Sequence, residues 1–229
     1  MAKKTPKVQL QKQDDYAALI KDISGVLESA RKASVRSINA LLTTAYWSVG
    51  RRIIEFEYHR RDRSEYYGDR LIEKLAGDLS RKLGKGFSKS NLFLMKSFYL
   101  AYSNIFQTVS AQSQLVELSN KFSLPWSHYV RLLSVKDEES RKFYESEALC
   151  SGWSVRQLDR QISSQFYERT LLSKNKSAML KKGEKPLPQD IVTVEEEIKD
   201  PFVLEFLGLK DEYSESDLEE ALIKHKNCF

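Results

Sequence analysis

The feature that most constrains this chain is an apolar stripe at spacings of three and four: Val35, Ile38, Leu42, Ala45, Val49, Ile53 and Phe56. That period matches the α-helical turn, so one face of a long helix needs a core or a partner to cover it. Near-heptad spacing would also suit a dimer seam. Gly50 and Arg52 interrupt the pattern, which favours a helix inside the chain's own core. A separate helix is expected before it, from about Asp14 to Ala30.

The remaining segments continue in the same style. Residues 67–83 carry Leu71, Ile72, Leu75, Ala76 and Leu79 on one side. Gly84-Lys85-Gly86-Phe87 then ends that helix, because two glycines so close permit positive φ. Ser88 is a good N-cap for a helix over Lys89–Tyr102. That helix is expected to bury Leu92, Met95, Tyr99 and Tyr102, with Lys89 and Lys96 pointing elsewhere. Asn104–Ser123 reads as a polar, weakly helical connection, followed by a short helix at Trp126–Leu133. Asp137 caps Glu138–Ser151, which stops at Gly152, and Ser154 caps a single helix Val155–Leu172. Its interior side is Val155, Leu158, Ile162, Phe166 and Tyr167.

Residues 174–190 are rich in Lys, Gly and Pro and read as a linker. Ile191–Val194 is at most a β stub, and two short helices are expected at Asp200–Leu209 and Ser214–His225. No repeat and no Rossmann or Walker glycine motif is present. The predicted fold is therefore all-α, with a helical domain at 12–174, a linker at 175–198 and a short helical unit at 199–229.

Bulk properties exclude several classes. No stretch of the 229 residues approaches the roughly 20 apolar residues of a membrane span, and the lysines of Met1–Leu10 precede no apolar run. A cytoplasmic protein is expected. Cys150 and Cys228 form no C-x-x-C pair, and His59, His128 and His225 are scattered, so neither a disulfide framework nor a zinc site is expected. Charge is more telling. Residues 1–176 hold 30 Lys and Arg against 19 Asp and Glu, a net +11, whereas residues 177–229 hold 7 against 13, a net −6; together these make the chain's +5. A basic body with an acidic tail suggests an anionic partner, nucleic acid first, although a merely solubilising surface gives the same totals.

The helix–GKGF–helix unit around residues 70–102 is similar to a helix-turn-helix, in which the first turn of one helix meets the major groove and nearby cations neutralise phosphates. Here Arg81, Lys82, Lys85 and Lys89 gather at the turn, and Ser88, Ser90 and Asn91 occupy the first helical turn, with Lys96 further along. Aligning Gly84 with the motif's glycine puts polar Ser90 where an apolar residue belongs. Leu92 restores the apolar slot only if the turn is about two residues longer. A plain αα-hairpin with a solvated basic end fits equally. A second basic group, Arg51, Arg52, Arg60, Arg61 and Arg63, is interleaved with Glu55, Glu57, Asp62 and Glu65, which favours i,i+4 pairing on a solvated face. Asp190 with Glu197-Ile198-Lys199 has the residue types of a metal-dependent nuclease. No strand pair is at hand to hold them, and the match reads as chance.

The stretches YWSVGRRIIEFE, YGDRLIEKLAGDLSRKLGKGFSKSNLFLMKSFYLAY, QTVSAQ, LPWSHYVRLL, VKDEESRKFYESEA, GWSVRQLDRQI and KDPFVLEFLGL, in that order over about residues 15–225, resemble the bacterial YhcG family. The resemblance implies an N-terminal helical, DNA-binding domain followed by a nuclease-like domain of the PD-(D/E)xK type. In the family, the motif matched by YSESDLEEALIKH opens that second domain as its first helix, and this chain stops soon afterwards, at Phe229. Glu219 or Glu220 alone assembles no metal site. The expectation is thus a chain truncated before the nuclease core, with no catalytic residues, no metal and no cofactor, Mg²⁺ being required only by the absent core. Its expected partner is double-stranded DNA, contacted through Arg81, Lys82, Lys85, Ser88, Lys89, Ser90, Asn91 and Lys96. The alternatives are a helical oligomerisation or interaction module that regulates a nuclease partner, and one half of a split PD-(D/E)xK endonuclease.

Overall fold

The computed structural model describes residues 7–59, 69–83, 86–103, 119–193, 196–197 and 200–207, with side chains from Tyr16 onward. All regular structure among them is helical, as the periodicity predicts. The first element, α1 (Lys7–His59), is one continuous helix where the sequence predicts two. Residues 30–34, Ala-Arg-Lys-Ala-Ser, contain neither Gly nor Pro, so nothing stops propagation between the two patterns. From Val35 onward α1 enters the core with Val35, Leu42, Tyr46, Trp47 and Ile53. Its interior hydroxyls stay satisfied by bonding one turn back: Thr44 Oγ1 donates to the Ala40 carbonyl at 2.8 Å and Ser48 Oγ to that of Thr44 at 2.9 Å.

α2 (Asp69–Leu83) and α3 (Lys89–Ala101) form a hairpin, and α3 lies mainly on α1. Gly50 explains that contact. A Cβ there would strike the backbone carbonyl of Met95 and come within 3.1 Å of the Tyr99 Cβ. The residue that interrupts the apolar stripe is thus the one that lets two helix backbones meet. The buried side of α3 is Leu92, Met95 and Phe98, followed by Tyr102 just past its end. Phe98, not among the expected core residues, is central: its ring centroid is 4.9–5.2 Å from those of Tyr129, Tyr102, Phe122 and Trp126. Tyr99, expected inside, is half-buried with its ring edge-on to Trp47 at 5.1 Å.

Four helices complete the body: α4 (Trp126–Leu132), α5 (Glu138–Ser151), α6 (Val155–Ser163) and α7 (Phe166–Leu172). The Asp137 carboxylate caps α5 by accepting from Ser140 N at 2.7 Å. Gly152, at φ 62°, terminates it, and the next amide, Trp153 N, reaches back to the Ala148 carbonyl. The sequence predicts α6 and α7 as one helix; the structure breaks it at Gln165, which adopts the left-handed φ of 53°. That turn swings Phe166 inward against Trp153, centroids 5.9 Å apart, and lets Tyr167 N donate to the Tyr144 hydroxyl at 3.0 Å.

The stretch that composition marks as a linker also folds. α8 (Lys176–Glu184) is capped by Asn175, whose side chain accepts from Ala178 N, and a 3-10 turn follows at Pro188–Asp190. The face of Gly183 lies against the Phe166 ring with no room for a Cβ. Both Gln157 and Gln161 donate their side-chain amides to the Gly183 carbonyl, at 2.9 and 3.2 Å. Glycine and proline here fit close packing rather than freedom. Residues 191–193 have no regular structure, so no β stub forms in the described part of Ile191–Val194. The last described helix, α9 (Pro201–Leu207), buries Val203 and Leu204, and its Phe202 meets Trp126 edge-on at 6.4 Å. Ser214–His225 lies outside the described residues.

Candidate nucleic-acid interface

The α2–α3 corner is built by short polar contacts. Ser88 Oγ accepts from Asn91 N at 3.2 Å, as an N-cap should, and Asn91 Nδ2 donates to the Gly86 carbonyl at 2.6 Å. Gly86, at φ 98°, supplies the left-handed residue expected of the glycine pair. Asn91 is therefore buried and braces the turn from inside. Of the polar residues expected to face DNA, Ser88 and Ser90 remain exposed.

The cations of that corner mostly have anionic neighbours. Lys89 Nζ lies 2.8 Å from Glu73 Oε1, an exposed link from α3 to α2. This hydrogen bond holds the Lys89 ammonium above, and the Glu73 carboxyl below, their ordinary ranges. Arg81 pairs with Asp78 on the same helix. Lys96 points inward to Glu57 of α1 at 2.8 Å, with both side chains largely shielded. Among the described residues Lys82 is the cation of this corner that makes no ion pair. Lys85 lies outside the described residues. In the second basic group, Arg51 and Arg52 both pair with Glu55, at 2.7 and 3.7 Å, as the interleaving predicts; Arg60, Arg61 and Arg63 fall outside the described residues.

A basic surface that composition hides lies around α8. Lys174, Lys176, Lys181, Lys182 and Lys185 are all exposed, and among the described residues none makes an ion pair. Glu184 is the single carboxylate within these twelve positions. The lysine run itself was a visible signal; the flanking Gly183, Pro186 and Pro188 made it read as a tether. With Gly183 pinned on Phe166, Lys176, Lys181 and Lys182 ride on a fixed helix, flanked by Lys174 and Lys185.

The nuclease-like set is only partly among the described residues, and there Asp190 and Glu197 sit in different surroundings. Asp190 is buried, takes Arg160 Nη2 at 2.5 Å and Nε at 3.2 Å, and accepts from Leu187 N at 2.7 Å. Arg160 holds its carboxyl below the usual range. Asp190 is thus spent on the fold, Glu197 is exposed, and Ile198 and Lys199 lie outside the described residues; among the described residues no group of three metal-ligating side chains converges. Nor is any described helix long and apolar enough to cross a membrane.

Residues 22–169 match the DUF1016 N-terminal domain. The chain belongs to this family. The matched span runs from within α1 to within α7, so the body described above is the family's domain, and α8 follows it. A relative from Escherichia coli (strain K12), bearing the name "Putative nuclease YhcG", is 47% identical over 230 aligned positions, which cover 92% of this chain and 60% of the relative. The chain thus spans about three fifths of that relative's length. No solved structure matches.

Proposed function

We propose that this DUF1016 domain binds double-stranded DNA through its phosphates, as the nucleic-acid-binding part of a nuclease-like protein. The observation that carries the reading is the set of five exposed lysines from Lys174 to Lys185, three of them on the packed helix α8, with one carboxylate among those positions. Phosphate contacts need cations that are not already neutralised, and a fixed helix presents them without the entropy cost of ordering a tether. The net +11 of residues 1–176 adds a favourable field. The name carried by the Escherichia coli relative points to the same ligand class.

At the α2–α3 corner, Arg81, Lys82, Ser88, Lys89 and Ser90 are exposed and able to reach a duplex. Lys89 would exchange Glu73 for phosphate, an exchange of small cost because the pair is open to water and screened. Asn91 and Lys96 serve the fold in this reading, and a groove helix led by them is not part of it.

Fluorescence anisotropy with a labelled duplex at two salt concentrations tests the proposal. Affinity should fall with salt by about 0.9 log units per phosphate contact per log unit of salt. Lys181→Glu with Lys182→Glu should weaken binding strongly, and Lys82→Glu with Lys89→Glu should do so if the corner also contributes. Absence of binding at low salt would sink the idea.

A further inference from the structure

Every residue of α1 from Tyr16 to Ser34 is exposed, a stretch of roughly 28 Å of helix that touches little of the body. Its apolar residues are nonetheless ordered. Tyr16, Leu19, Ile20, Ile23, Val26 and Leu27 recur at helical spacing and share one face, each 50–69% exposed. Scattered exposed apolar side chains are ordinary, but six on one face over about three turns form a seam. An unpacked helix of this length is also marginal in water, and its stability has to come from tertiary or quaternary packing. Gly25, mid-helix with open space around it, adds to the cost.

We propose that this face pairs antiparallel with the same face of a second copy of the chain. Size and charge both select that occupant. In heptad terms Tyr16, Ile23 and Ala30 hold one core position, Leu19, Val26 and Ala33 the other. An antiparallel register that sets Ile23 against Val26 of the second copy places Leu19 opposite Ala30 and Tyr16 opposite Ala33. Large residues then meet small ones at both ends, and Ile20 falls beside Leu27. The segment runs from net −2 (Asp14, Asp15 and Asp22 against Lys21) to net +2 (Arg31, Lys32 and Arg36 against Glu28). Antiparallel pairing brings the acidic end of each helix beside the basic end of the other, whereas parallel pairing would stack Tyr16 on Tyr16 and like charge on like. The seam lies on the same unbroken helix as the core residues from Val35 onward, so the pairing would extend outward from the body.

Sedimentation velocity of the full chain over a range of concentrations should show a species of twice 26.5 kDa. Ile23→Asp with Val26→Asp should halve that mass and lower the helical signal only by the arm's share, while melting of the body stays unchanged, because neither residue touches the core. Orientation is read by cross-linking in a background of Cys150→Ser and Cys228→Ser. Tyr16→Cys chains mixed with Ala33→Cys chains should form a covalent heterodimer on oxidation, and Ala33→Cys chains alone should not. A wild-type monomer at every concentration, a dimer indifferent to Ile23→Asp with Val26→Asp, or cross-linking within the Ala33→Cys sample alone would each overturn the proposal.

Discussion

Gly50 faces the carbonyl oxygen of Met95 at a separation that admits only a hydrogen atom between them. The crossing of α1 and α3, on which the whole body is assembled, is set by this one contact. Gly50→Ala would normally favour a helix, by about 1 kcal/mol. Here the added methyl has to push α3 away, and overpacking of this sort costs about 1–3 kcal/mol. The net expectation is destabilisation in urea, with Met95 and Phe98 loosened. A Gly50→Ala protein as stable as wild type would show that the helices can part without cost.

Two lysines of α3 test whether an ion pair binds helices together or decorates them. Lys96–Glu57 is largely shielded, while Lys89–Glu73 is open to water. Lys96→Met leaves Glu57 without its partner in a shielded place and should cost roughly 1–3 kcal/mol. Lys89→Met should change stability far less, because water screens that pair. Equal losses in chemical denaturation would contradict the distinction drawn between them.

His128 is buried under the α5–α6 turn, where its Nε2 lies 2.8 Å from the Trp153 carbonyl and donates to it. Burial holds its pKa below the ordinary 6.5. The unfolded chain therefore takes up the proton first. The contribution to stability is present above pH 6.5 and is lost as the pH falls through the lowered value. Thermal melting between about pH 7 and about pH 5 should drop more steeply in wild type than in His128→Gln. Parallel curves would remove His128 as the sensor.

Glu145 has the opposite sign. It accepts hydrogen bonds from the Tyr102 hydroxyl at 3.1 Å and the Tyr129 hydroxyl at 3.2 Å, but burial raises its pKa above the ordinary 4.5. The folded state holds this proton more tightly, so its contribution is complete below pH 4.5 and is lost as the pH rises through the raised value. Glu145→Gln carries no charge to bury. Its stability relative to wild type should therefore improve as the pH goes from about 4.5 to about 7; a difference that stays flat would show the carboxylate already neutral or fully compensated.

Helices marked by both a stripe and a cap were legible in the sequence. Ser88, Asp137 and Ser154 each start a helix as their side chains predict, and Gly152 ends one. What composition concealed was decided by contacts between distant residues. The break at Gln165 interrupts a stripe that looks continuous, because only Trp153 and Tyr144 give the turned-in Phe166 a place to go. Gly183 reads as flexible until Phe166 is found against it. At the candidate interface the gathering of Arg81, Lys82 and Lys89 was visible, but Asp78 and Glu73, which answer two of them, were not recognisable as neighbours of the turn. Lys96 looked outward until Glu57, 39 positions earlier, met it.

Because α1 is unbroken from Lys7 to His59, the angle between its outer seam and its inner core stripe is fixed. One extra residue placed between Ala33 and Val35 would rotate the seam by about 100° relative to the body, whereas about seven would lengthen the arm by about 10 Å and nearly restore its direction. Whatever docks on the outer third is thereby aimed by the core, and a family member that changes the arm by a number of residues out of step with the heptad would present its partner to a different side.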